Sequence, residues 1–427
     1  MKKGYILGYD MNEKSCQISF YDGSKDEPET LQVSADNYQI PLVIGYFQER
    51  WIYGKEAKRL ATVSLGHTVT DLFERALRRE RVRLGEKNYD AVWLLAKYVE
   101  LSLERFEEIN YITFSTPETD IDMSKMLKGI GQYLGIPKSH ICVQDYKESF
   151  CQYMMFQPKE LWQYESALFY CDDQRIKAYM LRKLNVGAGH VSGTFVTVDE
   201  VANAHMKELE ALYPIISEEK AKDADESFKA MIENVFEKKV VSSVYLTGEG
   251  FENSWYPNSQ KVLCNGRRAF LGNNLYSKGA CYTSIRKCAD KEEGPTYLDE
   301  SKLMDRICLR MRVHGQEGWY PIVSWGEHWY EADGQWEVLL EDLSDIEILI
   351  ESLSGDEMQV EKVSLEGMPS RGDYSMRMQV EVMFLDEKTC RLTFKDIGFG
   401  EFFPATDFQV EKVIGLGGTN GQFNSMS

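Results

Sequence analysis

No window of this sequence approaches the roughly 20 apolar residues of a membrane span, and its histidines, only 6 in 427 residues, do not cluster. Metal chemistry therefore has no visible set of ligands. Close cysteine pairs are also missing. The 9 cysteines are an odd number scattered without CxxC spacing, which argues against a disulfide frame or a zinc site and predicts a reducing compartment. Positive charge is in deficit: 49 Lys and Arg stand against 68 Asp and Glu, a net charge of -19. Most of such a surface repels phosphate backbones and anionic lipid, so neither nucleic acid nor a membrane is an expected partner. After Met1-Lys2-Lys3 the apolar stretch is broken by Gly4, Gly8 and Asp10, too soon for the apolar region of about 7 to 15 residues in a signal peptide. Together these absences predict a cytoplasmic protein.

Single cores stop growing near about 250 to 300 residues, so a chain of 427 residues is expected to hold at least two domains. Residues 4–21 alternate at period two and predict a β-hairpin whose loop runs from Asp10 to Ser15. A second such hairpin is read over 166–181, with Asp172 and Asp173 at its strand end. Between them the pattern predicts strands over 39–46 and from Trp51, and a helix after Gly54. An arginine-bearing amphipathic helix over 71–84, a helix over 91–106, a strand ended by Pro117 and a helix closed by Gly135 follow. A strand over 140–144 and a helix over 145–156 complete the run. Strands and helices in alternation imply an α/β sheet with covered faces. A helical pattern then occupies 198–237, before the apolar strand 244–246 with Gly248 and Gly250 after it.

The order of these elements resembles the ATPase domain of DnaK-type heat-shock chaperones, in the actin-like ATPase superfamily. The resemblance rests on the hairpin with Asp10, Ile40-Pro41-Leu42-Val43 followed by Gly54-Lys55-Glu56-Ala57, the strand ending in Thr116-Pro117, and Lys147-Glu148-Ser149-Phe150-Cys151-Gln152-Tyr153. Cys171-Asp172-Asp173, Val244-Tyr245-Leu246-Thr247-Gly248-Glu249-Gly250-Phe251 and the Gly279-Ala280 step repeat the pattern. The resemblance implies two α/β lobes around a cleft for ATP or ADP with Mg²⁺. It would place Asp10 and Asp172 on the metal, and Glu148 beside the attacking water, as the catalytic set. Asn12, Lys14, Ser15 and Asp173 would lie along the phosphates. Gly248, Gly250 and Phe251 would face adenosine, Glu219 and Lys222 adenine, and Lys278 the closing helix.

The family pattern is not kept throughout. Met11-Asn12-Glu13-Lys14-Ser15 replaces the Gly-Thr that follows the first acid, and Asp172-Asp173-Gln174-Arg175 replaces a glycine run, where Cβ atoms would hinder close backbone approach. Arg75 or Arg78 lies where the family keeps a catalytic lysine. Each residue also has a plainer reading. Asp10 suits a turn, Glu148 a helix N-terminus, and 219–222 a solvated helix surface.

From residue 305 onward the texture changes to short strands over 305–313, 336–340, 346–350, 358–363, 376–385, 390–395 and 408–413, with Gly, Asp and Ser turns between them. That spacing predicts an all-β sandwich. It resembles the β substrate-binding half of the same chaperones without the helical lid. The expected domains are 1–312 and 313–414, with a flexible tail over 415–427. The sandwich would hold a polypeptide client or a protein partner. Trp319, Tyr320, Trp325, Trp329, Tyr330 and Trp336 are expected mostly in its core. Two functions follow. One is a divergent chaperone or nucleotide-binding protein with weak or absent hydrolysis, and the other a pseudo-ATPase scaffold binding a partner through the β domain.

Overall fold

The computed structural model describes residues 4–34, 37–63, 67–172, 175–186, 193–205, 217–251, 254–289, 294–340, 345–353, 358–371 and 376–417. Asp173, the expected turn at 290–293 and the end of the tail lie outside the described residues. The chain is mixed α/β and divides into two compact units, Met1–Arg182 with Val198–Gly294, and Lys183–Thr197 with Pro295–Ser427. No helix among the described residues is long and apolar enough to cross a membrane.

The first unit opens with β1 (Tyr5–Met11), β2 (Ser15–Tyr21), β3 (Glu29–Thr30), β4 (Ile40–Pro41), β5 (Ile44–Phe47) and β6 (Arg50–Tyr53). It continues through α1 (Gly54–Thr62), β7 (His67–Val69), α2 (Leu72–Leu77), β8 (Arg81–Leu84), β9 (Lys87–Asp90) and α3 (Ala91–Leu103). Then come β10 (Ile109–Thr116), α4 (Ile121–Tyr133), β11 (Ile141–Asp145) and α5 (Tyr146–Met155). A second series follows: β12 (Glu165–Cys171), β13 (Arg175–Val186), β14 (Gly193–His205), α6 (Glu218–Val235), β15 (Val241–Thr247), α7 (Pro257–Leu263), β16 (Arg268–Leu271) and α8 (Leu275–Cys288).

The two series build sheets of one plan. The first runs β11-β10-β1-β2-β3 and the second β16-β15-β12-β13-β14. In each, the opening strand pairs antiparallel with the second and parallel with the fourth, which pairs parallel with the fifth. Alternation along β1 explains how the first sheet is covered on both faces. Leu7, Tyr9 and Met11 point into an apolar core with Ile18, Ile112, Phe114 and the inner faces of α3 and α4. Gly8 points the other way, where a Cβ would stand 2.1 Å from the Ser277 carbonyl of α8. Around it Ser19 bonds Ser277 (2.8 Å) and Thr113 bonds Ser284 (2.6 Å). Small hydroxyl residues thus let a helix from the second series lie directly on the first sheet. Helix α5 of the first series answers by packing on α8 and by setting Phe150 against Tyr245 of the second sheet.

Three expectations are corrected. The helix expected over 71–84 ends at Leu77. Arg79 turns with φ 55°, and Val82 and Leu84 then alternate buried with exposed Arg81 and Arg83 as strand β8, a period of two that the arginine pattern disguised. Residues 198–205 belong to the long strand β14, whose Phe195, Val196 and Val198 are buried. Asp10 sits inside β1, opposite Gln17, rather than in the hairpin loop.

In the second unit Thr296–Leu298 (β17) pairs in parallel with Phe195, Val196 and Thr197 of β14. The remaining strands are β18 (Asp305–Val313), β19 (Gln316–Val323), β20 (Gly334–Leu340), β21 (Ile346–Ser352), β22 (Met358–Val363), β23 (Met376–Asp386), β24 (Thr389–Asp396) and β25 (Gln409–Gly415). They form two antiparallel four-stranded sheets, β19-β18-β21-β22 and β20-β23-β24-β25. One apolar core, with Ile307, Ile348, Met378, Val380, Leu392 and Phe394, draws on both sheets. Strand β19 was not anticipated. Its Trp319 is 37% exposed rather than core, whereas Trp329 and Trp336 pack on the core.

Candidate functional site

Asp10 lies where β1 meets the starts of α5 and α8. It is 7% exposed, and burial pushes its carboxyl up to about 7, against the lowering effect of a hydrogen bond from Tyr146. The Tyr146 hydroxyl donates to Asp10 Oδ1 at 2.8 Å. Tyr146 opens α5, where the Asp145 carboxylate caps the Glu148 N–H. Its ring stacks on Tyr276 of α8, with centroids 3.7 Å apart and planes 7° from parallel. Tyr170, at the end of β12, stands 6.3 Å from Tyr146. Burial raises the Tyr146, Tyr170 and Tyr276 hydroxyls, and the neighbouring acids reinforce it. A carboxyl and three phenols at this crossing make a site that holds protons at neutral pH.

The first hairpin loop is closed from within. Asn12 Oδ1 accepts from the Lys14 and Ser15 backbones at 2.8 and 3.0 Å, an Asx turn of the usual kind. Asn12 Nδ2 reaches the Tyr146 hydroxyl at 3.5 Å. Ser15 Oγ donates to Gln39 (3.3 Å). Lys14 pairs with Glu249 at 3.5 Å, joining the two hairpin ends. Asp172 does for the second loop what Asn12 does for the first, its carboxylate accepting from the Arg175 N–H at 2.7 Å.

The glycines beyond β15 are packed rather than open. Gly248, with φ +99°, has the Cys171 carbonyl 2.2 Å from where a Cβ would stand, and Gly250 has the Cys171 sulfur at 2.2 Å. Phe251 is core, 4% exposed among Phe228, Trp255 and Tyr256. Glu219 and Lys222 lie exposed on the first turns of α6, and Lys278 pairs with Glu27 (3.7 Å). Arg75 bonds Asp71 and Glu80, and Arg78 pairs with Glu74. Among the described residues no group of three or more His, Cys, Asp or Glu side chains is placed to hold a metal ion. The structure therefore brings Asp10, Asn12, Lys14 and Ser15 together at one crossing, with Glu148 in the first turn of the adjoining helix, and leaves Phe251, Glu219 and Lys222 out of it.

A model described as a family of unknown function (DUF5716), C-terminal, matches residues 27–300. The chain belongs to the DUF5716 family. A domain of unknown function (DUF8552) matches residues 302–416. No curated protein matches the chain.

The DUF8552 region of this DUF5716 member carries a second feature that the sequence reading missed. Between β24 and β25 a loop presents Phe402, 92% exposed, and Phe399, 45% exposed. Its base is fixed by Asp396, fully buried, which takes both Arg371 terminal nitrogens at 2.7 and 2.5 Å. Asp396 also accepts from the Gly398 and Thr406 backbones and the Thr406 hydroxyl. Burial would raise this carboxyl, but Arg371, Thr406 and the amides outweigh it and hold it well below the usual carboxylate range. The sequence signal was the run Phe399-Gly400-Glu401-Phe402-Phe403 beyond an Asp-Ile-Gly turn.

Proposed function

We propose that this protein is a pseudo-ATPase scaffold, in which two lobes of the actin and heat-shock type no longer handle nucleotide and the β-sandwich takes a protein partner. The repeated strand order of the two sheets supports the two-lobed ancestry. The observation that carries the loss of nucleotide chemistry is the 2.8 Å bond from Tyr146 to Asp10 beneath the Tyr146–Tyr276 stack. ATP chemistry of this class needs backbone N–H groups open to phosphates, an acid open to hydrated Mg²⁺ and a free cation. Here the acid is buried and engaged by a phenol, Lys14 is paired with Glu249, and the glycine faces are filled by Cys171. These residues do not fit Mg-ATP, and no catalytic step is assigned to them.

On the partner side, the Phe402 loop offers apolar surface on a base that is already ordered. Docking there costs little conformational entropy. Calorimetric titration of the full chain with ATP and Mg²⁺ tests the reading. The expected result is no saturable heat up to about 1 mM nucleotide, a binding energy weaker than about 4 kcal/mol. Micromolar binding would instead favour the divergent chaperone that holds ATP between its lobes.

A further inference from the structure

Away from that crossing, four aromatic rings meet at the surface of the first unit. Tyr46 and Trp51 are cross-strand partners in the hairpin β5–β6, whose turn is fixed by Gln48 and Glu49 at φ 49° and 63°. Trp51 also meets Tyr89 of β9 and Trp93 of α3, with centroids 5.4 and 5.6 Å away, and Tyr89 and Trp93 lie stacked at 16°. Trp51 stands 64° to 80° from all three neighbours, so ring faces and edges alternate across the patch. Tyr46 and Trp93 are 36% and 37% exposed, while Trp51 and Tyr89 are anchored on the core. The platform is rigid, because Asp90 caps α3 through the Val92 and Trp93 N–H groups.

The polar chemistry of the patch is one-sided. Among the described residues the two indole N–H groups and the two phenol hydroxyls make no hydrogen bond within the chain. The nearby carboxylates are occupied, Asp90 by its helix cap and Glu56 by Arg50. Flat apolar rings with donors and few spare acceptors suit a ligand that is apolar and presents only acceptors. A proline-rich segment meets that description: it has no N–H at its prolines, its carbonyls are unpaired in the polyproline II helix, and its rings seat between aromatic faces. A saccharide, whose hydroxyls both donate and accept, would need acceptors beside the rings.

We propose that Tyr46, Trp51, Tyr89 and Trp93 form a docking site for proline-rich polyproline II segments of a partner. The site is separate from the β-sandwich and does not depend on the pseudo-ATPase reading. The test titrates the full chain with a decaproline peptide, followed by tryptophan fluorescence and calorimetry. A Gly-Ser peptide of equal length and maltohexaose serve as controls. Saturable binding of decaproline alone is expected, weakened at least about tenfold, or 1.4 kcal/mol, by Trp93→Ala. Trp319→Ala, which removes an exposed tryptophan of the second unit, should leave it unchanged. If Trp93→Ala lowers the thermal midpoint, Tyr46→Ala on the β5–β6 hairpin replaces it. Absence of saturable decaproline binding, equal binding by the variants, or preference for maltohexaose overturns the proposal.

Discussion

A carboxyl shut away from water keeps its proton, and at Asp10 this makes stability run downhill with pH. The folded value is raised to about 7 from an unfolded value near 3.9. Folding is therefore favoured fully below about pH 4, where both states are protonated. Stability is lost as pH rises toward 7, at about 1.4 kcal/mol per pH unit across the window. Asp10→Asn, which keeps an acceptor for Tyr146, should flatten the dependence of the urea midpoint between pH 4 and 7. Tyr146→Phe removes the only hydrogen bond found to lower the Asp10 value. It should cost about 1 to 3 kcal/mol and extend the pH-dependent loss to higher pH; an unchanged profile would mean that the bond carries nothing. Asp10 stood out in the sequence because an acid between two apolar strands is unusual. Tyr146 and Tyr276 did not, because tyrosine is common here, with 24 in the chain, and nothing local separates a phenol over a carboxyl from one in a core.

Among the elements, α8 depends most on the absence of side chains. A Cβ at Gly279 would stand 2.0 Å from the Ser149 carbonyl of α5, whereas one at Gly129, on the exposed side of α4, meets nothing within 4 Å. Gly279→Ala should therefore destabilise by about 1 to 3 kcal/mol. Gly129→Ala should stabilise by up to about 1 kcal/mol through helix propensity. Thermal midpoints of the pair check both signs, and a stable Gly279→Ala would mean that α5 and α8 have room to separate. Most elements were legible because period two and period 3.6 leave different traces, and Gly54 and Gly135 marked their boundaries. The reading failed where the traces were ambiguous. Arginines at 75, 78, 79, 81 and 83 mimic a helix face while the buried Val82 and Leu84 keep strand register. In β14 the acids Asp199 and Glu200 interrupt an otherwise β-branched run. The crossing of α5 and α8 could not be read, since it joins residues more than a hundred positions apart through serines, threonines and glycines that look like surface.

Across the whole molecule, the two units carry carboxylates with opposite demands. Asp396 is held below its unfolded value, so its contribution is present above about pH 4 and is lost as pH falls, the reverse of Asp10. Each unit has its own core, and calorimetry should resolve two transitions. The first should move down in temperature from pH 4 to 7 and the second from pH 4 to 2. Asp396→Asn, which strands Arg371 in a buried position, should lower only the second, by about 3 to 5 kcal/mol. A single transition that tracks neither change would sink this account. The mixed α/β character of the chain and the turn to short strands beyond residue 305 were visible in periodicity. The Asp396 network was not, because its partners Arg371, Gly398 and Thr406 come from separate turns. One consequence concerns the order in which the chain is made. Helix α8 covers Gly8, Ser19 and Thr113 of the first sheet, yet it is among the last parts of the first unit to be synthesised. At about 5 to 20 residues per second, the opening strands wait many seconds on the ribosome for the helix that covers them. During that interval the amino-terminal sheet is a substrate for whatever nascent-chain factors the cell supplies.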